Sequence, residues 1–241
     1  MPLNDRVVVI TGAAGALGPA VCREFANAGA SLALAGMHLE PLNKLAVSLS
    51  LADDRVLTQA ANLIDPAEVN TFAQAVRAKF GRADVVLHLV GGYKAGTKVV
   101  DLDPADVSAM LDQHLWTTLH MARAFVPGMI EQSWGRVIVI STPLAQAPGA
   151  KQAPYAIGKA GQDILMLTLA QELKGTGVTA NCIQIRSIET APPDPVPSKR
   201  DETAKPRTGS TPAEITAALV WLCGDEAAAT NGARIPVFGR A

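Results

Sequence analysis

Two side chains four residues apart, Tyr155 and Lys159, are well suited to move a proton. They lie in a segment of helical composition, where a spacing of four places both on one helix face. A tyrosine hydroxyl ordinarily loses its proton near pH ~10, and a nearby ammonium lowers that pKa because it favours the phenolate. Such a tyrosine can give a proton to a carbonyl oxygen or take one from an alcohol. The same spacing also occurs on solvated helix faces, so its meaning depends on the rest of the chain.

A glycine-rich turn near the start of the chain provides that context. Residues 6–10 are an apolar, β-branched run, which predicts a buried strand. Gly12, Gly15 and Gly18 follow at once, and residues 19–28 have helical composition. Glycines let the backbone approach a pyrophosphate, and a helix N-terminus offers unpaired N–H groups and a partial positive charge. We therefore predict a dinucleotide site here rather than a turn that only connects a strand to a helix.

Together the two motifs resemble the short-chain dehydrogenase/reductase family over the whole chain. Residues 11–18 (Thr-Gly-Ala-Ala-Gly-Ala-Leu-Gly) are similar to the family's cofactor turn, and residues 155–159 (Tyr-Ala-Ile-Gly-Lys) are similar to its catalytic pair. Residues 211–215 and 231–232 resemble its C-terminal markers. The resemblance implies an NAD(P)-dependent oxidoreductase that transfers a hydride between nicotinamide and a small carbonyl or alcohol substrate. It also implies a homodimer or a homotetramer.

The same resemblance implies catalytic roles for named residues. Tyr155 is expected to act as acid or base, and Lys159 to bind the nicotinamide ribose and lower the tyrosine pKa. The family's substrate-binding serine corresponds to Thr142, thirteen residues before the tyrosine, whose hydroxyl is the same donor and acceptor. Its neighbour Ser141 is the alternative. The family's helix asparagine corresponds to His114, which either holds water behind the lysine or packs within its helix.

Further positions are implied for the cofactor. An acid at the end of the second strand would bind the 2′-hydroxyl of NAD, whereas a base would accept the 2′-phosphate of NADP. Residues 35–38 are Ala-Gly-Met-His and contain no acid, which favours NADP over strict use of NAD. The expected cofactor contacts, besides Tyr155 and Lys159, are Thr11, Gly12, Gly15, Ala16, Leu17, Gly18, Gly36, Met37, His38, Asn62, Leu63, Val90, Gly91, Ile188 and Thr190.

Some positions depart from the family pattern. Residues 88–91 are His-Leu-Val-Gly where the family commonly has Asn-Asn-Ala-Gly, so the bonds of those asparagines cannot be assumed. The Gly-Gly-Tyr segment 91–93 resembles dihydropteridine reductases, and Tyr93 is either a stacking surface for a flat ring or a loop residue beside the cofactor. Arg186 is either an anchor for an anionic substrate or a solvated charge. A non-catalytic dinucleotide-binding protein, such as a sensor or subunit partner, and a pterin or imine reductase therefore remain alternatives.

Strands alternate with helices along the chain, which predicts a single-domain α/β Rossmann fold over residues 1–241, with a doubly wound parallel sheet of about seven strands. Residues 191–206 contain five prolines without periodicity, and we predict that they form a short substrate lid rather than a linker. The predicted strands are 6–10, 31–35, 55–59, 84–89, 136–140, 178–185 and 234–238. The predicted helices are 19–28, 39–51, 66–80, 103–132 with a break near 127–128, 152–174 and 211–223.

Composition narrows the classes of function. The net charge of −1 gives no indication of a basic footprint for nucleic acid, and no uncharged run reaches the ~18 residues of a membrane span. The three cysteines are odd in number and lie in apolar segments, which is typical of reduced core residues. Their spacing does not fit zinc, so we expect no metal. With no targeting segment at the N-terminus, we expect a cytoplasmic protein.

Overall fold

Seven short segments pair side by side as a parallel sheet in the computed structural model, which describes residues 3–189 and 209–239. The strand order is β3-β2-β1-β4-β5-β6-β7, so the direction of winding reverses between β1 and β4. In open α/β sheets, ligands bind at such a reversal, beyond the carboxyl ends of the strands. The strands are β1 Val7–Thr11, β2 Ser31–Gly36, β3 Val56–Ala60, β4 Val85–His88, β5 Gly135–Ser141, β6 Val178–Gln184 and β7 Arg234–Pro236.

Seven α-helices in the described residues connect these strands. Several start at the side-chain caps that the sequence suggests: Asp65 and Asp103 each accept a backbone N–H two residues later. Thr211 and Glu214 form a reciprocal capping box. The helices are α1 Gly18–Asn27, α2 Leu39–Ser48, α3 Pro66–Phe80, α4 Pro104–Leu111, α5 Thr117–Glu131, α6 Ala153–Glu172 and α7 Pro212–Leu222.

The sheet is covered on both faces, which explains why central strands such as β1 and β4 are largely apolar rather than alternating. In β1, Val8 and Ile10 pack into the core layer that contains Phe25 of α1. Val7 and Val9 pack into the opposite layer, with Phe72 of α3. This is the predicted doubly wound Rossmann fold with seven parallel strands.

The predicted helix break is in the wrong place. Pro127 lies inside α5 without ending it. Residues Phe125, Val126 and Met129 of the same turns are buried in the core, and this packing compensates for the backbone bond that proline cannot make. The irregular turn lies earlier, between α4 and α5, where residues Asp112–Trp116 are π-helical.

Two predictions from the sequence, the substrate lid and one of the cofactor contacts, fall on residues that the structure does not describe. The predicted lid, 191–206, lies outside the described residues, and so does Thr190.

Among the described helices, none combines the length and apolar character that crossing a membrane would require.

Candidate active site

The glycine-rich turn is built for close approach of the backbone. Gly12 has a φ of +67°, and a Cβ there would lie 3.1 Å from the backbone of Leu89 and Val90. A Cβ on Gly18 would lie only 2.0 Å from the carbonyl oxygen of Ala13. These two positions therefore exclude any larger side chain. Because no side chain caps the N-terminus of α1, its first N–H groups are available to an anion.

A crevice of about 570 Å³ opens beside this turn, at the carboxyl ends of the strands. Its lining combines glycines with apolar side chains. Six lining residues were not predicted from the sequence, namely Ala61, Ile64, Leu89, Gln113, Thr117 and Ile140. The expected cofactor contacts that line it are Gly12, Gly15, Ala16, Leu17, Gly18, Gly36, Met37, Asn62, Leu63, Val90, Gly91 and Ile188.

Thr11 and His38 lie elsewhere. His38 is exposed at the start of α2. Thr11 is buried, and its Oγ1 lies 2.8 Å from Nδ1 of His88. On the other side of the ring, Nε2 of His88 lies 3.0 Å from Oγ1 of Thr117. Thr117 already donates its hydroxyl hydrogen to the carbonyl of Gln113, so His88 donates from Nε2 and accepts at Nδ1.

His88 thus braces β1, β4 and α5 at the position where the family has an asparagine. Burial, together with the charge of Lys159, lowers the pKa of His88 to about 3. The imidazole is therefore neutral at physiological pH, as the tautomer assigned from its two threonine partners requires.

The Tyr155 ring lies in an aromatic cluster next to the crevice. The Tyr93 ring contacts it edge-on with centroids 4.9 Å apart, and the His114 ring does so at 5.5 Å. Burial raises the pKa of Tyr155 to about 12, although a hydrogen bond with Thr142 opposes the rise. The expected lowering of this pKa is therefore wrong for this structure, because desolvation of the phenolate outweighs every favourable contact.

The two neighbouring hydroxyls at the end of β5 point to different partners. Thr142 bonds Tyr155, whereas Ser141 donates to Oδ1 of Asp163 at 2.5 Å. Alternation of side chains along an extended backbone explains the divergence. Of the two candidates for the substrate-oxygen role, only Thr142 contacts the phenol.

Lys159 is buried below the aromatic cluster. Its Nζ donates to the carbonyl oxygen of Ile140 at 2.6 Å and to Oε1 of Gln162 at 3.0 Å. Burial lowers its pKa to about 8, and the carboxylate of Asp163 opposes that shift. A Cβ on Gly91 would lie 3.8 Å from Nζ, so the ammonium borders the crevice lining.

His114 occupies the π-helical turn, a feature that often marks functional sites. Its Nε2 donates to the carbonyl of Gly92 at 3.1 Å, which leaves Nδ1 as an acceptor. Nδ1 is buried and has no hydrogen-bond partner among the described residues. Burial and the charge of Lys159 lower the pKa of His114 to about 3, so the ring is neutral.

The sequence interpretation missed the polar residues beneath Lys159. Gln162 and Asp163 follow it by three and four residues, so they share its buried helix face. Gln162 links the lysine to Thr118 through a hydrogen bond of 2.8 Å. The sequence did contain a signal for them, because these two polar residues occupy positions that the helical period places on the buried face.

Comparisons with known proteins place these features in context. A family model described as short chain dehydrogenase matches residues 6–201. The chain is 33% identical, over 98% of its length and 94% of the relative, to subunit BbsC of (2S)-[(R)-hydroxy(phenyl)methyl]succinyl-CoA dehydrogenase from Thauera aromatica. It is 31% identical to nodulation protein G of Rhizobium sp. (strain N33), over 98% of its length and 97% of the relative. The crystal structure of L-sorbose reductase from Gluconobacter frateurii with NADPH and L-sorbose superposes with a TM-score of 0.86 at 25% identity, over 99% and 97% of the two chains.

Proposed function

Because the chain belongs to the short chain dehydrogenase family, we propose that it reduces a small-molecule carbonyl, or oxidises the corresponding alcohol, with NAD(P) and with Tyr155 as the acid or base. The family is one of oxidoreductases that bind NAD(P). The observation that carries the proposal is the contact between Tyr155 and Thr142 beside the glycine-lined crevice. A carbonyl oxygen placed between these two hydroxyls would receive a hydrogen bond from each.

Two features of the crevice support the binding of a dinucleotide. The glycines of the turn pack so closely on neighbouring backbone that a Cβ at Gly12 or Gly18 would disturb the turn, and the uncapped start of α1 suits a pyrophosphate at residues 15–18. Asn62 and Leu63 line the crevice, and we assign them to the adenine; Lys159, beside Gly91, we assign to the nicotinamide ribose. When bound, the nicotinamide supplies or accepts the hydride.

The protein's own groups handle the proton. With a pKa near 12, the hydroxyl of Tyr155 holds its proton at neutral pH, which suits the reduction of a carbonyl better than the reverse reaction. Thr142 orients the substrate oxygen. Lys159 is an ammonium below its pKa of about 8 and would stabilise the phenolate as the proton leaves. His114 offers its buried Nδ1 as the acceptor for a water beside that ammonium.

For the cofactor we propose NADP. The end of β2 carries no carboxylate, and the exposed residues Met37 and His38 follow Gly36 directly. A carboxylate there would repel a 2′-phosphate, so its lack leaves room for one. The similar L-sorbose reductase is complexed with NADPH.

We also propose a homodimer or homotetramer in the cytoplasm. Trp116, Ile157 and Ile164 are exposed apolar side chains on the neighbouring helical segments around α6. A surface of this kind suits association with a second copy. Light scattering on the purified protein would give the mass directly.

The test is Tyr155→Phe, assayed for oxidation of NADPH and NADH against ketones, β-ketoacyl thioesters, quinonoid pterins and cyclic imines. We expect turnover to fall by about 10²- to 10⁴-fold while the Kd for NADPH stays nearly unchanged, because the variant loses the proton donor but keeps the aromatic ring. Unaltered reduction by the variant would refute the proposal. If the unmodified protein binds NADPH but turns over none of these compounds, the non-catalytic alternative is favoured. If its activity is confined to pterins or imines, that reductase class is favoured, and the exposed ring of Tyr93 offers a surface for such a substrate.

A further inference from the structure

A carboxylate is buried beneath the candidate active site. The Asp163 side chain, on α6, is only 1% exposed. It accepts a hydrogen bond from Oγ of Ser141 at 2.5 Å and one from Nε of Arg234 at 2.9 Å. Burying an ion pair is costly, and well-packed apolar residues at the same positions are often neutral or stabilising. Stability alone therefore does not explain why this pair is present.

The carboxylate connects three elements at the site. Through Ser141 it holds the end of β5, and the next residue, Thr142, is the one that bonds Tyr155. Along α6 it lies one turn from Lys159, on the same helix face. Through Arg234 it reaches β7, which lies 71 residues away in sequence.

We propose, on the basis of the function proposed above, that Asp163 is a positioning residue: it holds Thr142 in place through Ser141 and balances the charge of the buried Lys159 ammonium. Arg234 neutralises part of the carboxylate's charge and so sets how strongly it acts on the site. The group itself touches neither substrate nor cofactor.

The electrostatic contributions follow this geometry. Asp163 raises the pKa of Lys159 because it favours the ammonium, and raises the pKa of Tyr155 because it disfavours the phenolate. Charged and titratable groups from several elements lie around Lys159. Its titratable or charged neighbours are Tyr155 and Asp163 on α6, His114 on the π-helical turn, His88 on β4, Cys182 on β6 and, through Asp163, Arg234 on β7.

The chain offers a readout that needs no turnover, because it contains only two tyrosines, Tyr93 and Tyr155. Biosynthetic incorporation of 3-fluorotyrosine, whose fluorine acidifies the phenol, would give two ¹⁹F NMR signals, assigned with Tyr93→Phe. The pH midpoint of the Tyr155 signal then reports the charge beneath the site. Asp163→Asn removes a negative charge and should lower this midpoint by about 0.5 to 1 pH unit.

Arg234→Gln should move the midpoint the other way, upward by a similar amount, because it leaves the carboxylate less neutralised. Arg234 is partly exposed, so this variant tests the inference even if Asp163→Asn does not fold. Midpoints that stay within about 0.2 pH unit in the folded variants, or that move in the same direction, would overturn the inference.

Two further variants separate charge from geometry. Ser141→Ala removes the hydrogen bond but keeps the carboxylate, so the Tyr155 midpoint should stay while kcat falls about tenfold. Ser141→Thr should restore kcat, and failure to restore it would remove the hydroxyl's part in the inference.

The matched control for Asp163→Asn is Asp84→Asn, the same change in a buried, arginine-paired aspartate at the opposite edge of the sheet. It should destabilise the fold without moving the midpoint.

The readouts also separate this inference from the function on which it rests. An inactive but cofactor-binding parent protein would refute the proposed function, yet the ¹⁹F midpoints would still test the charge network. An active parent with fixed midpoints would refute the network alone.

Discussion

Two buried aspartates, Asp84 and Asp163, show how differently the two edges of the sheet are built. At the amino edge, Asp84 accepts the backbone N–H of Val7 at 2.8 Å and pairs with both Arg6 and Arg82. The Arg6 guanidinium in turn lies 3.6 Å from the centre of the Trp134 ring. These contacts pair the charges with one another and tie the starts of β1 and β4 together.

Toward the carboxyl edge, one buried charge has a charged hydrogen-bond partner, and the other donates only to neutral groups. Asp163 pairs with Arg234, and the nearby ammonium of Lys159 donates to neutral oxygens, those of Ile140 and Gln162. The pKa values of Lys159, Tyr155, His88 and His114 are all shifted there. At the amino edge the buried carboxylate thus ties strands together, whereas toward the carboxyl edge buried charge lies beside the side chains for which we propose a role in the reaction.

The largest difference should appear when a charged group is removed from each edge. Lys159→Met should lower kcat/KM by about 10²- to 10⁴-fold, because the group that stabilises the phenolate is lost. Asp84→Asn should instead reduce the free energy of unfolding by about 1 to 3 kcal/mol, since it weakens the hydrogen bonds of a buried carboxylate whose arginine partners stay partly exposed to water, while the folded enzyme keeps its kcat. Urea unfolding and steady-state kinetics on both variants would check this. A loss of kcat in folded Asp84→Asn would erase the distinction between the edges.

A glycine from each region gives a second contrast. Gly18→Ala places a Cβ 2.0 Å from the Ala13 carbonyl oxygen, so the turn must shift, and NADPH affinity should fall at least about tenfold. Gly128 lies inside α5, and a Cβ added there would have nothing within 4 Å. Gly128→Ala should therefore stabilise the protein by up to about 1 kcal/mol and leave NADPH binding unchanged. NADPH fluorescence titration and thermal unfolding would measure both effects.

Acid should act through the histidines at the carboxyl edge. His88 and His114 have folded-state pKa values of about 3, against an ordinary histidine pKa of 6.5. Below pH ~6.5 the unfolded chain binds protons that the folded chain does not, so stability is full above this pH and falls as pH decreases. The slope should be about 1.4 kcal/mol per pH unit for each histidine.

The check is urea unfolding between pH 6.5 and pH 5, a window taken from those pKa values. His88→Asn keeps a donor and an acceptor for the two threonines but cannot bind the proton, so it should remove about half of the slope. An unchanged slope in this variant would show that His88 is not a source of the acid sensitivity.

The last expected effect is a basic limb in the activity profile. Because the pKa of Lys159 is lowered to about 8, its ammonium is lost as pH rises through that value. We expect kcat/KM for carbonyl reduction to be constant below pH ~8 and to fall up to about tenfold per pH unit above it. The same profile measured on Asp84→Asn should have the same midpoint, because that carboxylate lies at the other edge.

The sequence alone determined the architecture and the place of the crevice. Apolar runs such as residues 6–10 and 31–35 predicted strands of a sheet covered on both faces, and the structure has β1 and β2 there. The spacing of Gly12, Gly15 and Gly18 predicted the turn beside β1. These features depend on residue type and on periods of a few residues, which are local properties of a chain.

Only the tertiary structure decided which side chains of the site form hydrogen bonds and ion pairs with one another. It separated Thr142 from Ser141, gave His88 two threonine partners, and joined Asp163 to Arg234 across 71 positions. It also reversed the expected direction of the Tyr155 pKa shift. The physical reason is that a pKa depends on burial and on every charge that folding brings near, whereas spacing along one helix reports only the neighbours on that helix.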